Sequence, residues 1–208
     1  MAQYGFYFDS ARCTGCKTCV LACKDRHDLG VDRAYRQVYD YEGGSWTAGA
    51  DGSFTQNVFM YHLSMACNHC TDPACVTNCP AGAMQKDEET GIVWTDHEVC
   101  IACGTCDSVC PYGAPVLDSE AGYMTKCDMC KDRVAEGKAP ICVESCPLFA
   151  LEFGLVEELA AAHPEAVGAI APMPADSPTG PCVLIRKAPA AKDAGDVDGF
   201  VGNEPEIV

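Results

Sequence analysis

Cys100-Ile-Ala-Cys103-Gly-Thr-Cys106-Asp-Ser-Val-Cys110-Pro111 is the stretch on which the reading turns. Its first three thiols stand at i, i+3 and i+6, and a fourth follows after three more residues with a proline behind it. Working outward, the same order returns three times. Cys13, Cys16, Cys19 and Cys23 keep the identical C-x2-C-x2-C-x3-C spacing. Cys67, Cys70, Cys75 and Cys79 widen the middle gap to four residues, and Cys127, Cys130, Cys142 and Cys146 widen it to eleven. Cys79, Cys110 and Cys146 each precede a proline, whereas Cys23 precedes Lys24. Of the 17 cysteines only Cys182 stands apart, in an apolar, strand-like run that marks it as a buried free thiol.

Three thiolates so spaced can curl around one cubane of iron and sulfide and supply three of its four ligands. The fourth cysteine then starts a turn pointing toward a second cluster, as in the bacterial two-cluster ferredoxin run. Four complete groups therefore predict four [4Fe–4S] clusters. Structural zinc sites use separated pairs rather than three thiols in succession, which disfavours zinc, with the fourth group the least unlike it. Disulfides belong mostly to shorter chains folded under oxidising conditions, and an odd cysteine count fits them poorly. If groups two and three form one module, group four must pair back with group one. The expected ligand sets are then Cys13, Cys16, Cys19 with Cys146; Cys67, Cys70, Cys75 with Cys110; Cys100, Cys103, Cys106 with Cys79; and Cys127, Cys130, Cys142 with Cys23. His69, between Cys67 and Cys70, reads as local packing or a hydrogen bond to sulfur.

The surroundings repeat as well. Asp9 and Asp96 each stand four residues before the first cysteine of a group, and Cys-Pro-x-x-Ala recurs at Cys79–Ala83, Cys110–Ala114 and Cys146–Ala150. Such self-similarity points to duplicated units. The expected fold is α+β, two ferredoxin-like two-cluster modules with one inserted in the other. Residues 1–30 and 121–154 form the outer module, and 65–120 the inner one. Residues 31–64 form a β-rich insertion, in which Arg33–Glu42 and Phe54–Ser64 read as two strands across a glycine-containing turn. Residues 155–208 supply a helix and, from Asp176, an extended Pro-, Gly- and Ala-rich arm, interrupted by the strand-like Cys182–Arg186.

Composition narrows the function. Without its cysteines the 48% hydrophobic share falls to about 40%, a modest supply for a core, so bound metal is expected to contribute to folding. Thirty acidic residues against 14 basic ones give a formal charge of −16, which argues against a nucleic-acid partner. No run of about twenty apolar residues is present to span a membrane. The opening residues lack the basic and apolar regions of an export signal.

A cluster with four thiolate ligands has no vacant iron for a substrate, so the chemistry left is one-electron transfer. Four oxidised clusters with their thiolates would add about −8 to the formal charge, which calls for solvation or covering partners. Groups one and four lie near Arg12, Lys17, Lys24, Arg26, Lys126, Lys131 and Arg133 in sequence. Groups two and three lie near Asp72, Asp96, Glu98 and Asp107, with Lys86 the only base between Cys67 and Ala121. By sequence proximity the outer pair of clusters is expected to hold the higher potentials.

The motifs Arg12-Cys-Thr-Gly-Cys-Lys-Thr-Cys19, Cys67-Asn-His-Cys-Thr-Asp-Pro-Ala-Cys75, Lys126-Cys-Asp-Met-Cys130 and Pro140-Ile-Cys-Val-Glu-Ser-Cys-Pro147 resemble the iron–sulfur subunit of dimethyl sulfoxide reductase, within the molybdopterin oxidoreductase superfamily. The resemblance weakens after about residue 170. It implies a non-catalytic electron-transfer subunit between two partners, a large molybdenum or tungsten bis-pterin catalytic subunit and a quinol-oxidising membrane anchor. It further implies membrane association through those partners, on the extracytoplasmic face by co-export with the catalytic subunit. Some relatives place Trp at a group-three cysteine and hold a three-iron cluster; Cys103 fills that place here, which implies four-iron clusters throughout. A polyferredoxin of another dehydrogenase or hydrogenase would share the wiring, and a zinc-structured binding module is the reading from a different class.

Overall fold

The computed structural model describes residues 2–175 and 178–207. Strand β1 (Tyr4–Asp9) carries Phe6, Tyr7 and Phe8, each under 5% exposed. A run so buried on both faces requires neighbours on both edges and above and below. Its chain leads through the first cysteine group into helix α1 (Thr18–Arg26). Next come β2 (Gln37–Gly43), a small hairpin of β3 (Trp46–Ala48) and β4 (Phe54–Gln56), and β5 (Phe59–Met65). The two expected strands thus exist, shifted toward the C-terminal parts of their segments, and the glycine-containing turn has folded into a hairpin of its own.

The stretch with the second and third groups is built from short pieces. They are α2 (Ala74–Thr77), β6 (Met84–Lys86), β7 (Val93–Thr95), α3 (Thr105–Ser108), β8 (Val116–Asp118) and β9 (Tyr123–Thr125). Around the fourth group stand α4 (Lys131–Ala135) and α5 (Ile141–Glu144), followed by β10 (Leu151–Leu155) and α6 (Val156–Ala162). Strands β11 (Val183–Arg186) and β12 (Gly199–Val201) come last. The chain is therefore a mixed α and β protein.

Two three-stranded sheets carry the larger core. In the first, β1 is central, antiparallel to β10 with Phe6 opposite Phe153, and parallel to β11 with Phe6 opposite Val183. In the second, β2 lies between β5 and β12, with Tyr41 opposite both Tyr61 and Val201. Phe6, Phe8, Val38, Leu63, Leu151, Ile170 and Ile185 meet in one apolar cluster between them. A far smaller core of Met84, Val93 and Met124 with Cys75 and Cys106 holds the hairpins β6–β7 and β8–β9. Gly5 is obligatory where β1 meets β11, since a Cβ there would lie 2.4 Å from the Cys182 carbonyl oxygen.

The expected extended arm is a correction. Asp176 and Ser177, where it was to begin, lie outside the described residues, but the chain beyond is laid back on the molecule. Val183 and Ile185 fill the open edge of β1, and β12 covers the open edge of β2. Asn203 completes the attachment: its Nδ2 donates to the Val38 carbonyl at 2.9 Å and its Oδ1 accepts from the Asp40 N–H at 2.8 Å. Composition alone could not reveal this, because unpaired sheet edges, not local propensity, recruit the segment.

The repeated Asp has a structural reason. Asp9 ends β1 and turns the chain into the first cysteine loop, its Oδ1 accepting the Ala11 N–H at 2.9 Å and the Arg12 N–H at 3.2 Å. Its Oδ2 also accepts from Arg186 Nη1 at 2.9 Å, tying β1 to β11. Asp96 makes the lighter version of the turn, accepting the Glu98 N–H at 3.0 Å. Asp9→Ala is expected to cost about 2 kcal/mol, since it strips several hydrogen bonds from a buried carboxylate. Asp96→Ala should cost less than half as much. Denaturant midpoints of the two cluster-loaded variants check this, and equal losses would refute the distinction.

Candidate metal centres

Each cysteine group opens on a backbone device. In all four, the second residue between the first two cysteines has positive φ: Gly15 at 67°, His69 at 43°, Ala102 at 53° and Met129 at 61°. Alternating hands along the chain turn successive N–H groups toward one concavity, a geometry that receives anions. Only Gly15 takes this conformation without penalty. The other three each hold backbone strain on the order of 1 kcal/mol, sustained only where the surroundings overdetermine it. Gly15 is also required for space, since a Cβ would meet the His62 ring at 2.6 Å.

The Cys-Pro-x-x-Ala repeat serves the sulfur. The Ala83 N–H donates to Cys79 Sγ at 3.2 Å and the Ala150 N–H to Cys146 Sγ at 3.3 Å, and Ala114 makes the corresponding backbone bond to Cys110. Small side chains let these amides approach; Ala83 and Ala150 are each 1% exposed. Further N–H groups reach sulfur from Met124 to Cys100 at 3.3 Å and from Met129 to Cys127 at 3.4 Å. Such donors favour the thiolate over the thiol.

Two quartets are visible as cavities. Cys67, Cys70, Cys75 and Cys110 line one, together with Asn68, Val93 and Lys126. Cys13, Cys16, Cys19 and Cys146 line another, together with Phe8, Val38 and Ser64. The other cysteines are related through their electrostatics. Burial pushes the Cys106 thiol up to about 11, with Cys100 and Cys79 as the charged thiols that add to it. Burial pushes Cys23 up to about 12, with Cys142 and Cys130 adding to it. Cys127 is driven up by complete burial, and then by Cys23 among others. Thiols held this far above their usual range keep their protons at neutral pH unless a cation replaces them, which couples metal binding to proton release.

Cys16 and Cys103 differ from the rest. Both are exposed, and both have a threonine hydroxyl beside sulfur, Thr18 at 3.4 Å and Thr105 at 3.3 Å. Those hydroxyls are the leading cause of a lowered pKa at each thiol. Cys182 lines neither cavity; it is buried, with Sγ 3.6 Å from Thr71 Oγ1 and 3.8 Å from the Gly180 carbonyl oxygen. His69 is fully buried and its Nδ1 accepts the Val93 N–H at 2.9 Å, so the ring is neutral with its proton on Nε2. Burial first, then the charges of Lys126, Lys86 and Arg36, hold its pKa well below the usual value.

The donor set tests whether iron–sulfur clusters fit. Among the described residues, the buried side-chain polar atoms lacking a partner are Arg33 Nε, Arg36 Nε and Nη2, Asn68 Nδ2 and His69 Nε2. All five are N–H donors, and no acceptor is among them. Asn68 belongs to the lining of the cavity formed by Cys67, Cys70, Cys75 and Cys110. What this interior lacks is acceptors, and the sulfides and thiolates of clusters are acceptors. The residues fit the group.

Proximity in sequence misassigned one cation and missed another. Lys126, counted above with the outer groups, is 4% exposed and lines the cavity of Cys67, Cys70, Cys75 and Cys110. Its Nζ is fixed by the Val93 and Cys127 carbonyls. Lys86 donates to the Cys70 carbonyl at 2.9 Å, so two lysines, not one, stand at the inner groups. Arg36 was overlooked altogether, although it is 2% exposed among thiols of groups one and four. The only signal it left in the sequence was an arginine on an otherwise apolar and aromatic strand approach. The potential order drawn from local charge therefore loses its basis.

Residues 58–156 match a family described as a 4Fe–4S dicluster domain. The chain is 53% identical over 205 residues to the probable anaerobic dimethyl sulfoxide reductase chain YnfG of Escherichia coli, covering 99% of this chain and 98% of that one. It is 52% identical, with the same coverage, to the anaerobic dimethyl sulfoxide reductase B chain of Escherichia coli. The thiosulfate reductase electron transfer subunit PhsB of Salmonella typhi is 37% identical over 159 residues, which is 75% of this chain and 78% of that one.

Proposed function

The chain belongs to the family of the anaerobic dimethyl sulfoxide reductase B chains, and from that premise we propose that it is a non-catalytic electron-transfer subunit holding four [4Fe–4S] clusters. Those clusters, when bound, supply one-electron transfer and no open iron for substrate chemistry. The ligand sets we assign are Cys13, Cys16, Cys19 with Cys146; Cys67, Cys70, Cys75 with Cys110; Cys100, Cys103, Cys106 with Cys79; and Cys127, Cys130, Cys142 with Cys23. The observation that carries the reading is a pair of cavities, each lined by three cysteines of one group and the last cysteine of another. The chain's own work is to hold iron through thiolates, to direct backbone and side-chain N–H groups at sulfur, and to bury most of the thiols fully or in part, leaving Cys16 and Cys103 exposed.

Those two exposed cysteines support a place between two partners. Leu21 and Phe149, 66% and 74% exposed, accompany groups one and four, and Val99 and Ile101, 46% and 64% exposed, accompany group three. Apolar side chains beside exposed cluster loops need covering in a chain that is otherwise strongly acidic. In our reading a molybdenum or tungsten bis-pterin catalytic subunit covers one end and a quinol-oxidising membrane subunit the other, as the family resemblance implies. Among the described residues no helix is long and apolar enough to cross a membrane, so membrane association, on the extracytoplasmic face, is assigned to the partners. The inner and outer modules, 65–120 and 1–30 with 121–154, remain the proposed division of the chain.

The test is elemental analysis of the complex captured anaerobically through a tag on this chain. Iron near sixteen atoms per chain from these sites, with molybdenum or tungsten in the co-purifying large subunit, is the expected result. Iron without either metal would move the wire to another enzyme. Zinc in place of iron would end the proposal.

A further inference from the structure

Arg36 is a charge in a place where charges are costly. Its guanidinium is buried beneath the second sheet, with its Cζ 4.8 Å from the centroid of the Phe6 ring. Nη1 donates to the Ser64 carbonyl at 3.3 Å and to Ser64 Oγ at 3.2 Å. Ser64 Oγ in turn lies 3.4 Å from Cys19 Sγ. Nε and Nη2 have no partner, and among the described residues Arg36 forms no ion pair with a carboxylate. An isolated arginine buried this way would cost several kcal/mol. The guanidinium rests on Phe6, whose buried cluster includes Cys19 and Cys142, and the sulfurs whose charge as thiolates acts on it are those of Cys142, Cys19, Cys127 and Cys23. One of them, Cys19, belongs to the set completed by Cys146, and the other three belong to the set completed by Cys23.

We infer that Arg36 is the common counter-cation of the two outer clusters, a positioning residue that directs its unpaired Nε and Nη2 at their sulfur and raises both reduction potentials together. This deepens the proposed function and rests on it. An arginine cannot lose its charge under any physiological condition. A cation between two acceptors favours whichever redox state is the more negative, so both couples gain from the same residue. Because Lys126 and Lys86 stand at the inner sets and Arg36 is only the third of three cations acting on His69 there, removing Arg36 should move the inner couples much less than the outer ones.

The experiment is a redox titration followed by electron paramagnetic resonance, on the complete complex purified anaerobically. Four cluster signals and full iron in the unmodified complex test the underlying reading, before any variant is compared. In Arg36→Gln two couples should fall by at least a tenfold change in their reduction equilibrium, about 59 mV for one electron. They should be the two whose signals are lost in Cys146→Ser and in Cys23→Ser. Arg36→Lys, which keeps the charge, should recover most of the shift. Unchanged potentials, or an equal fall in all four, would overturn the inference while leaving the wire intact. Should Arg36→Gln fail to assemble, unmodified protein labelled with guanidino-15N arginine decides the matter. A nitrogen coupling at the two outer signals, absent in Arg36→Lys, is expected, and its absence in the unmodified protein overturns the assignment.

Discussion

Replacing Cys110 with alanine is expected to abolish the cluster faced by Cys67, Cys70 and Cys75 and to spare the one faced by Cys110's own neighbours, Cys100, Cys103 and Cys106. The reason is geometric. Cys110 opens into the cavity of the second group, and its pKa is raised by burial and then by the charge of Cys67. Cys106, four residues earlier, instead responds to Cys100 and Cys79 once burial has acted. Iron should fall by up to about four atoms per chain, with one spectroscopic signal lost. The signal lost should be the one also removed by Cys75→Ala. Coincidence with Cys106→Ala instead would show that each group closes on itself, and the crossed ligand sets would have to be abandoned.

Stripping the clusters should have the largest effect on stability, and it should be unequal across the molecule. The core particular to Cys67–Cys127 is Met84, Val93 and Met124 with cysteine side chains, while Ile92 packs into the larger core. Helices α2 and α3 are four residues each, a single turn that cannot persist unaided, and every strand there is three residues long. Closed structural metal sites contribute on the order of 10 kcal/mol to folding, far more than such a core can supply. The sheets of β1 and β2, with Phe8, Leu63 and Ile185 each at most 1% exposed, have packing of their own. Chelation of iron after oxidation should therefore abolish amide-exchange protection across Cys67–Cys127 first and almost wholly. Protection in β1, β2 and β5 should persist longer. Retained protection in the inner half of the iron-free chain would refute this.

The sulfur chemistry was legible in the sequence because ligand spacing is a local property. Cys-x2-Cys and Cys-Pro-x-x-Ala encode loops whose geometry depends on residues within a turn of one another. So was much of β2, β5 and β11, where aromatic and β-branched residues cluster. What escaped was set by distance along the chain. Lys126 is next to Cys127 in sequence, yet its ammonium serves the cavity of the second group. Arg36 has no cysteine within twelve positions and still lies among four of them. Positive φ at Ala102 and Met129 was equally hidden, since nothing in those residue types requests a left-handed backbone, and His69 gave only the weak signal of a residue type enriched there. The strained positions are the cluster loops themselves, where local preference and tertiary demand part company.

The parallel pairing of β1 with β11 has a consequence for the order of events at the ribosome. Asp9 and Arg186, joined by an ion pair, are 177 positions apart. Strand β1 is synthesised early but lacks a permanent neighbour on one edge until β11 has emerged, and on the other until β10 has. The loop holding Cys13, Cys16 and Cys19 hangs from that strand and waits with it. Contacts between such distant segments form late, after the local ones. In the four-cluster reading proposed above, completion of the first cluster site then falls to a nearly finished chain, since β1 gains both neighbours only once β10 and β11 have emerged.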